Sequence, residues 1–121
     1  MSKPKAPPGL AGAGRRLWDA VILEYELEEH ETALLIEACR TLDLLGRLHR
    51  LVRREGPIVE TPQGPRAHPA AVEARQQRIA LARLLAALRL PAGDEEDAKG
   101  SSRRPQRRVG PRGVYAVRGA L

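Results

Sequence analysis

Large apolar side chains in this sequence fall into three runs of helical spacing, separated by polar or Pro/Gly-rich passages. Leu17, Trp18, Val21, Ile22 and Tyr25 share one side of a 3.6-residue period and predict a first helix of about three turns. Trp18, the sole tryptophan, is at this spacing a core anchor rather than a ligand platform. The stretch EYELEEHE then breaks the pattern. Glu28, Glu29 and Glu31 mark the opening turns of a second helix, where the partial positive charge of a helix N-terminus stabilises carboxylates. That alignment accounts for most of the five glutamates between positions 24 and 31 without a metal site.

The second helix is the longest, from about Glu29 to Arg54. Leu34, Ala38, Leu42, Leu45, Leu48 and Val52 form a nearly straight apolar seam, with Ala33, Leu44 and Leu51 on one shoulder. The apolar arc is wider than one partner helix requires. On the opposite face Arg40, Arg47, Arg50 and Arg54 step by 7, 3 and 4 into a basic stripe. Such a stripe is either a solvated face, with Asp43 and Glu37 nearby, or a surface for phosphates.

A third helix is expected from Pro69, whose missing N–H suits the first helical position, to about Leu90. Val72 and Ile79 mark one of its faces; Leu81, Leu84, Leu85 and Leu88 mark another. A helix apolar on two sides needs two packing partners. Three helices in a domain of about 75–80 residues rarely supply more than ~3–5 kcal/mol from their own core, so oligomerisation is the economical cover for the second face. Leu34, Leu44, Leu51, Leu81, Leu84, Leu85 and Leu88 are therefore the candidate subunit contacts. Between the two long helices, Ile58, Val59 and Glu60 favour extended backbone, Pro62-Gln63-Gly64-Pro65 reads as a turn and His68-Pro69 restarts a helix. This is a reaching loop or small hairpin, longer than the usual helix–helix link of roughly 2–8 residues. His68 is a helix-start or subunit-contact residue.

The expected organisation is a flexible N-terminal arm (1–13), a helical oligomerisation domain (14–90) and a basic flexible tail (91–121). The fold class is all-α: a short helix followed by a long antiparallel helical hairpin with an extended connector. The formal charge of +6 and the pI near 10.4 favour an acidic partner, most often nucleic acid. Cys39, the sole cysteine, excludes an intramolecular disulfide, fits a reducing compartment and reads as a buried small hydrophobe. The N-terminus lacks the apolar core of a signal peptide, and no run approaches the roughly 18 apolar residues of a membrane span. The expectation is a soluble cytoplasmic protein with no membrane contact.

Catalysis is not expected. No GxxxxGK[ST] phosphate loop is present, because Gly12-Ala13-Gly14 is followed by arginines. His30, His49 and His68 stand 19 residues apart with no companion at metal-ligand spacing, and Cys39 has no base placed beside it by sequence. Neither a metal nor another cofactor is called for.

The ordered set of segments GRRLWDAVILEYELEEHE, LLIEACRTLDLLGRL, REGPIVETPQGPRAHPAAVEARQQR and RLLAALRLP resembles the phage terminase small subunits, over about Gly14 to Pro91. The resemblance implies a helical subunit that assembles into a ring and binds double-stranded viral DNA at its packaging site. It also implies delivery of that DNA to a large terminase subunit with ATPase and nuclease activities, in the host cell cytoplasm. Two-faced helices suit a ring subunit, which has a left and a right neighbour. Many small terminases carry an N-terminal helix-turn-helix domain for DNA; residues 1–13 are too short for one.

The tail is the natural substitute. Residues 99–121 hold Lys99, Arg103, Arg104, Arg107, Arg108, Arg112 and Arg118 and no acidic residue, a charge of +7, after the acidic cluster Asp94, Glu95, Glu96 and Asp97. Such a tail grips phosphates without reading sequence. The DNA-contact candidates are thus Arg40, Arg47, Arg50 and Arg54 on the second helix with Arg103, Arg104, Arg107, Arg108 and Arg112 in the tail. Val114, Tyr115, Val117 and Leu121 offer either a dock for the large subunit or a frayed end. The same charge and helix content also fit a small dimeric DNA-binding regulator or antitoxin-like protein, which would prefer a palindromic operator. A purely structural helical adaptor is the third reading.

Overall fold

A computed structural model describes residues 3–91 and, for the backbone only, residues 107–108. The described residues form three helices and two short antiparallel strand pairs: α1 (Gly12–Glu24), β1 (Tyr25–Glu26), α2 (Glu29–Glu55), β2 (Ile58–Thr61), β3 (Gly64–Ala67), α3 (Pro69–Leu88) and β4 (Arg107–Arg108). β2 pairs with β3, and β1 with β4. The fold is mostly helical, as the periodicity implies, with the connector resolved into a true β-hairpin.

α1 starts several residues before its apolar run because another helix supplies its cap. Ala11 stands at the N-cap and has no side chain to accept from the first-turn amides. Asp43, from the middle of α2, does so instead: its carboxylate accepts from Ala11 N at 2.7 Å and Gly14 N at 2.7 Å. The two helices meet so closely here that a Cβ on Gly14 would lie 2.7 Å from the Cys39 carbonyl oxygen and 2.5 Å from Asp43 Oδ2. Gly14 is thus dictated by close approach, not by φ.

At the start of α2 the glutamates form a reciprocal cap. Glu28 accepts from the Glu31 amide, and the buried Glu31 carboxylate accepts from Glu28 N at 2.7 Å. The helix runs for 27 residues, about 40 Å, and ends at Gly56, whose φ of +87° is left-handed territory open to glycine. The chain reverses at Pro62–Gln63, where Pro62 fixes a negative φ, and the positive φ falls on the next residue, Gly64, at +111° opposite Thr61. His68 caps α3, its Nδ1 accepting from Ala70 N at 2.9 Å, while its Nε2–H donates to Glu55 at 2.7 Å. This one side chain ties the start of α3 to the end of α2. Further along, Arg78 meets His49. Residue numbers rise on α3 as they fall on α2, so the hairpin is antiparallel.

The core gathers at the end remote from the β-hairpin. Trp18, Val21, Ile22 and Tyr25 pack with Leu35, Cys39 and Leu88, and Ala6, Leu10, Leu17, Leu27, Leu34, Ile36 and Leu90 close over them. At the hairpin end only small side chains, Ala70 and Ala74, are buried on α3. The molecule is therefore a three-helix head continued by a thin two-helix arm. The segment before α1 belongs to the head: Ala6 and Leu10 pack on the core, and Lys3 Nζ donates to Ile22 O at 2.7 Å, meeting an open carbonyl in the last turn of α1. Residues 3–11 thus differ from the loose arm expected of Pro/Gly-rich composition, because proline-stiffened backbone can lie along a helix without secondary structure of its own.

Candidate nucleic-acid surface

α2 separates charge along its length. Glu24, Glu26, Glu28 and Glu29 surround its beginning; Arg47, Arg50, Arg53 and Arg54 occupy its second half, with Arg40 just before its midpoint. Each pole matches the helix dipole that it meets. Among these, Arg40, Arg47, Arg50 and Arg54 are all exposed and fall within an arc of about 80°.

The two carboxylates that could have made this stripe a self-neutralised face are differently engaged. Asp43 is taken up by the α1 amides. Glu37 pairs with Arg40 at 3.4 Å, and Arg54 lies 3.9 Å from Glu55; both pairs are solvent-exposed, so they leave the cations exchangeable toward a stronger anion. Among the described residues, Arg47 and Arg50 make no ion pair. Two adjacent, exposed, unneutralised guanidiniums attract anions and suit bidentate contact with phosphate.

Two further arginines, Arg53 and Arg78, join them. His49 and Arg53 lie one turn apart on the side of α2 that borders α3, and Arg78 of α3 reaches His49 at 3.3 Å. The signal was available in part: an antiparallel hairpin closing at His68 brings Arg78 to the level of His49. The second half of α2 is thus basic on the sides not covered by α3, with Arg50 bridging stripe and seam.

The candidate subunit contacts divide. Leu88 is 0% exposed within the single chain and belongs to the head core, so it is removed from that group. The reason is angular: Ala70, Ala74, Leu81, Leu84 and Leu88 share the sector of α3 that faces α2. Leu34 is half-buried against the same core; Leu44, Leu51, Leu81 and Leu84 are half-buried, and Leu85 is exposed. Beside Leu85, the outward apolar positions of α3 are Val72, at 42% exposure, and Ile79, at 43%. Ile58 on β2 adds another at the same end. Arg103, Arg104 and Arg112 lie outside the described residues, as do Val114, Tyr115, Val117 and Leu121. Arg107 and Arg108 are described as strand β4.

Cys39 is fully buried. Burial, with smaller contributions from the Asp43 and Asp19 carboxylates, pushes its thiol up to about 11, so it stays protonated at neutral pH and serves as a small apolar group beneath α1. His68 is the helix-start residue that the sequence suggested. Among the described residues no group of three or more His, Cys, Asp or Glu could hold a metal ion, and no helix is long and apolar enough to cross a membrane. No family model, curated protein or solved structure matches the chain.

Proposed function

We propose that this chain is a DNA-binding, non-catalytic subunit of a phage genome-packaging machine, of the kind that the terminase small subunits represent. In this reading it holds double-stranded viral DNA through phosphate contacts and presents it to a large subunit that carries the ATPase and nuclease. The carrying observation is the exposed Arg40–Arg47–Arg50–Arg54 stripe, in which Arg47 and Arg50 have no carboxylate partner among the described residues. Its span, about 20 Å along the helix axis, matches several phosphates of a duplex. Basic residues 99–121 extend the grip without adding sequence readout.

Assembly into a ring is the second part of the proposal. The two-helix arm exposes Ile58, Val72 and Ile79, while the head has a core of its own. A neighbouring copy against the arm covers these apolar positions, and repetition of that contact closes a ring. Native mass spectrometry of the full chain at moderate ionic strength tests it. A single closed assembly larger than a dimer is expected. A clean dimer with preference for a palindromic duplex would replace this reading with that of a transcriptional regulator.

A further inference from the structure

Two residues of the basic C-terminal region, Arg107 and Arg108, pair through their backbone with the strand between α1 and α2. β4 lies antiparallel on β1, with Tyr25 opposite Arg108 and Glu26 opposite Arg107. β1 is the two-residue extended step between α1 and α2, and the sequence around it reads Glu24, Tyr25, Glu26, Leu27, Glu28, Glu29. The segment that comes to it is drawn from the most basic part of the chain, with Arg103, Arg104, Arg107, Arg108 and Arg112 within ten positions and no acidic residue among them.

Tyr25 marks both ends of the intervening linker. Its hydroxyl donates to Pro91 O at 2.9 Å, where the chain leaves the domain, and its backbone faces Arg108, where the chain is paired again. Pro91 and Arg108 are thus both placed at Tyr25. The partner strand is intramolecular and always at hand, so even a weak pairing is populated. A two-residue ladder is also easily undone, since so short a strand pair has little independent stability. What remains is charge: the sequence around β4 is basic and the sequence around β1 is acidic, an attraction weakened by salt and by any stronger anion.

We infer that β1 and its flanking glutamates form a docking strip for the chain's own basic segment around Arg107–Arg108, and that duplex DNA competes for that segment. The inference rests on the reading of the tail as a DNA grip. In the absence of DNA the tail cations are held on the acidic head, which suppresses non-specific binding to other polyanions. Duplex phosphates outcompete the four carboxylates Glu24, Glu26, Glu28 and Glu29, and the segment transfers. The same strip is left open once the tail has moved.

Engineered disulfide formation in the full chain tests this. Glu26→Cys with Arg107→Cys places two thiols at opposed positions of an antiparallel pair, a separation that a disulfide spans; Cys39 is buried and does not compete. The control is Glu26→Cys with Arg118→Cys, in the same tail away from the pairing. Under mild oxidation, intact mass of the monomeric product should show the first pair closing at least about tenfold faster than the control, by its higher effective concentration. Rates that agree within about twofold would overturn the docking. Saturating duplex should then slow the first pair at least about fivefold, toward the control rate. Duplex that binds, by anisotropy on the same sample, yet leaves the rate unchanged would overturn the competition. Fast closure in a protein with no affinity for duplex would instead strike at the proposed function while leaving the docking in place.

Discussion

Substitution of Gly14 by alanine tests the head packing most sharply, because helix propensity and packing predict opposite signs. Propensity alone gives stabilisation of up to about 1 kcal/mol, less in a first turn. Against it stands geometry: the new Cβ would be 2.7 Å from the Cys39 carbonyl oxygen, 2.5 Å from Asp43 Oδ2 and 2.8 Å from Asp43 Cγ. The nearest carbonyl is α2 backbone and cannot swing aside, so α1 must lift. Overpacking of this kind costs about 1–3 kcal/mol. Lifting α1 also breaks the Asp43 cap, in which one carboxylate serves both Ala11 N and Gly14 N; partly exposed caps contribute about 1–2 kcal/mol. The net expectation is destabilisation by about 2–3 kcal/mol, or roughly 10–20 °C in the thermal midpoint of a domain this size, followed by circular dichroism. Gly46→Ala is the internal control. It lies within α2, where the added Cβ would meet only the mobile Arg50 guanidinium at 3.4 Å, so it should stabilise by up to about 1 kcal/mol. The pair Gly14→Ala and Asp43→Ala should be non-additive by more than about 0.5 kcal/mol, since each removes the same cap. A neutral or stabilising Gly14→Ala, or additive effects with Asp43→Ala, would refute the close helix crossing.

Other outcomes follow from single contacts. His68→Ala removes the α3 cap and the hydrogen bond to Glu55, and chemical denaturation should show a loss of about 1–2 kcal/mol. Because the Cys39 thiol is raised from 9.0 to about 11, the folded state holds its proton more tightly than the unfolded chain. That contribution is complete below pH 9 and is lost as pH rises through 11, so thermal midpoints across this window should fall more steeply for the native chain than for Cys39→Ala. Val72→Asn with Ile79→Asn should leave the monomer fold intact, since both side chains face outward, and reduce the native assembly mass; an unchanged mass would remove the arm from the subunit interface.

The three helices were legible in the apolar period, and the connector in its Pro-Gln-Gly turn and His-Pro restart. Two features were not, for one physical reason: both depend on which helix comes next to which. The start of α1 is set by Asp43, 29 residues away from Gly14, and no local cap residue announces it. The face of α3 turned inward was hidden by its alanines, because Ala70 and Ala74 carry little hydrophobic signal yet permit the close approach that orients Leu81, Leu84 and Leu88 toward α2. Periodicity therefore found two apolar faces and could not say which was already partnered. In the basic surface, the stripe was readable as spacing, whereas Arg78 joined it only through the register of the hairpin. Asp43, counted by sequence as a neighbour of the stripe, proved to be spent on α1.

The most direct test of the central claim is the salt dependence of duplex affinity, measured by fluorescence anisotropy with the full chain and with Arg47→Gln combined with Arg50→Gln. A steep linear fall of log affinity with log salt concentration is expected, with a slope shallower by about 2 in the double variant, as two phosphate contacts are removed. A slope unchanged by the double substitution would show that the α2 stripe does not meet DNA. Absence of any salt-sensitive affinity for duplex would contradict the account as a whole.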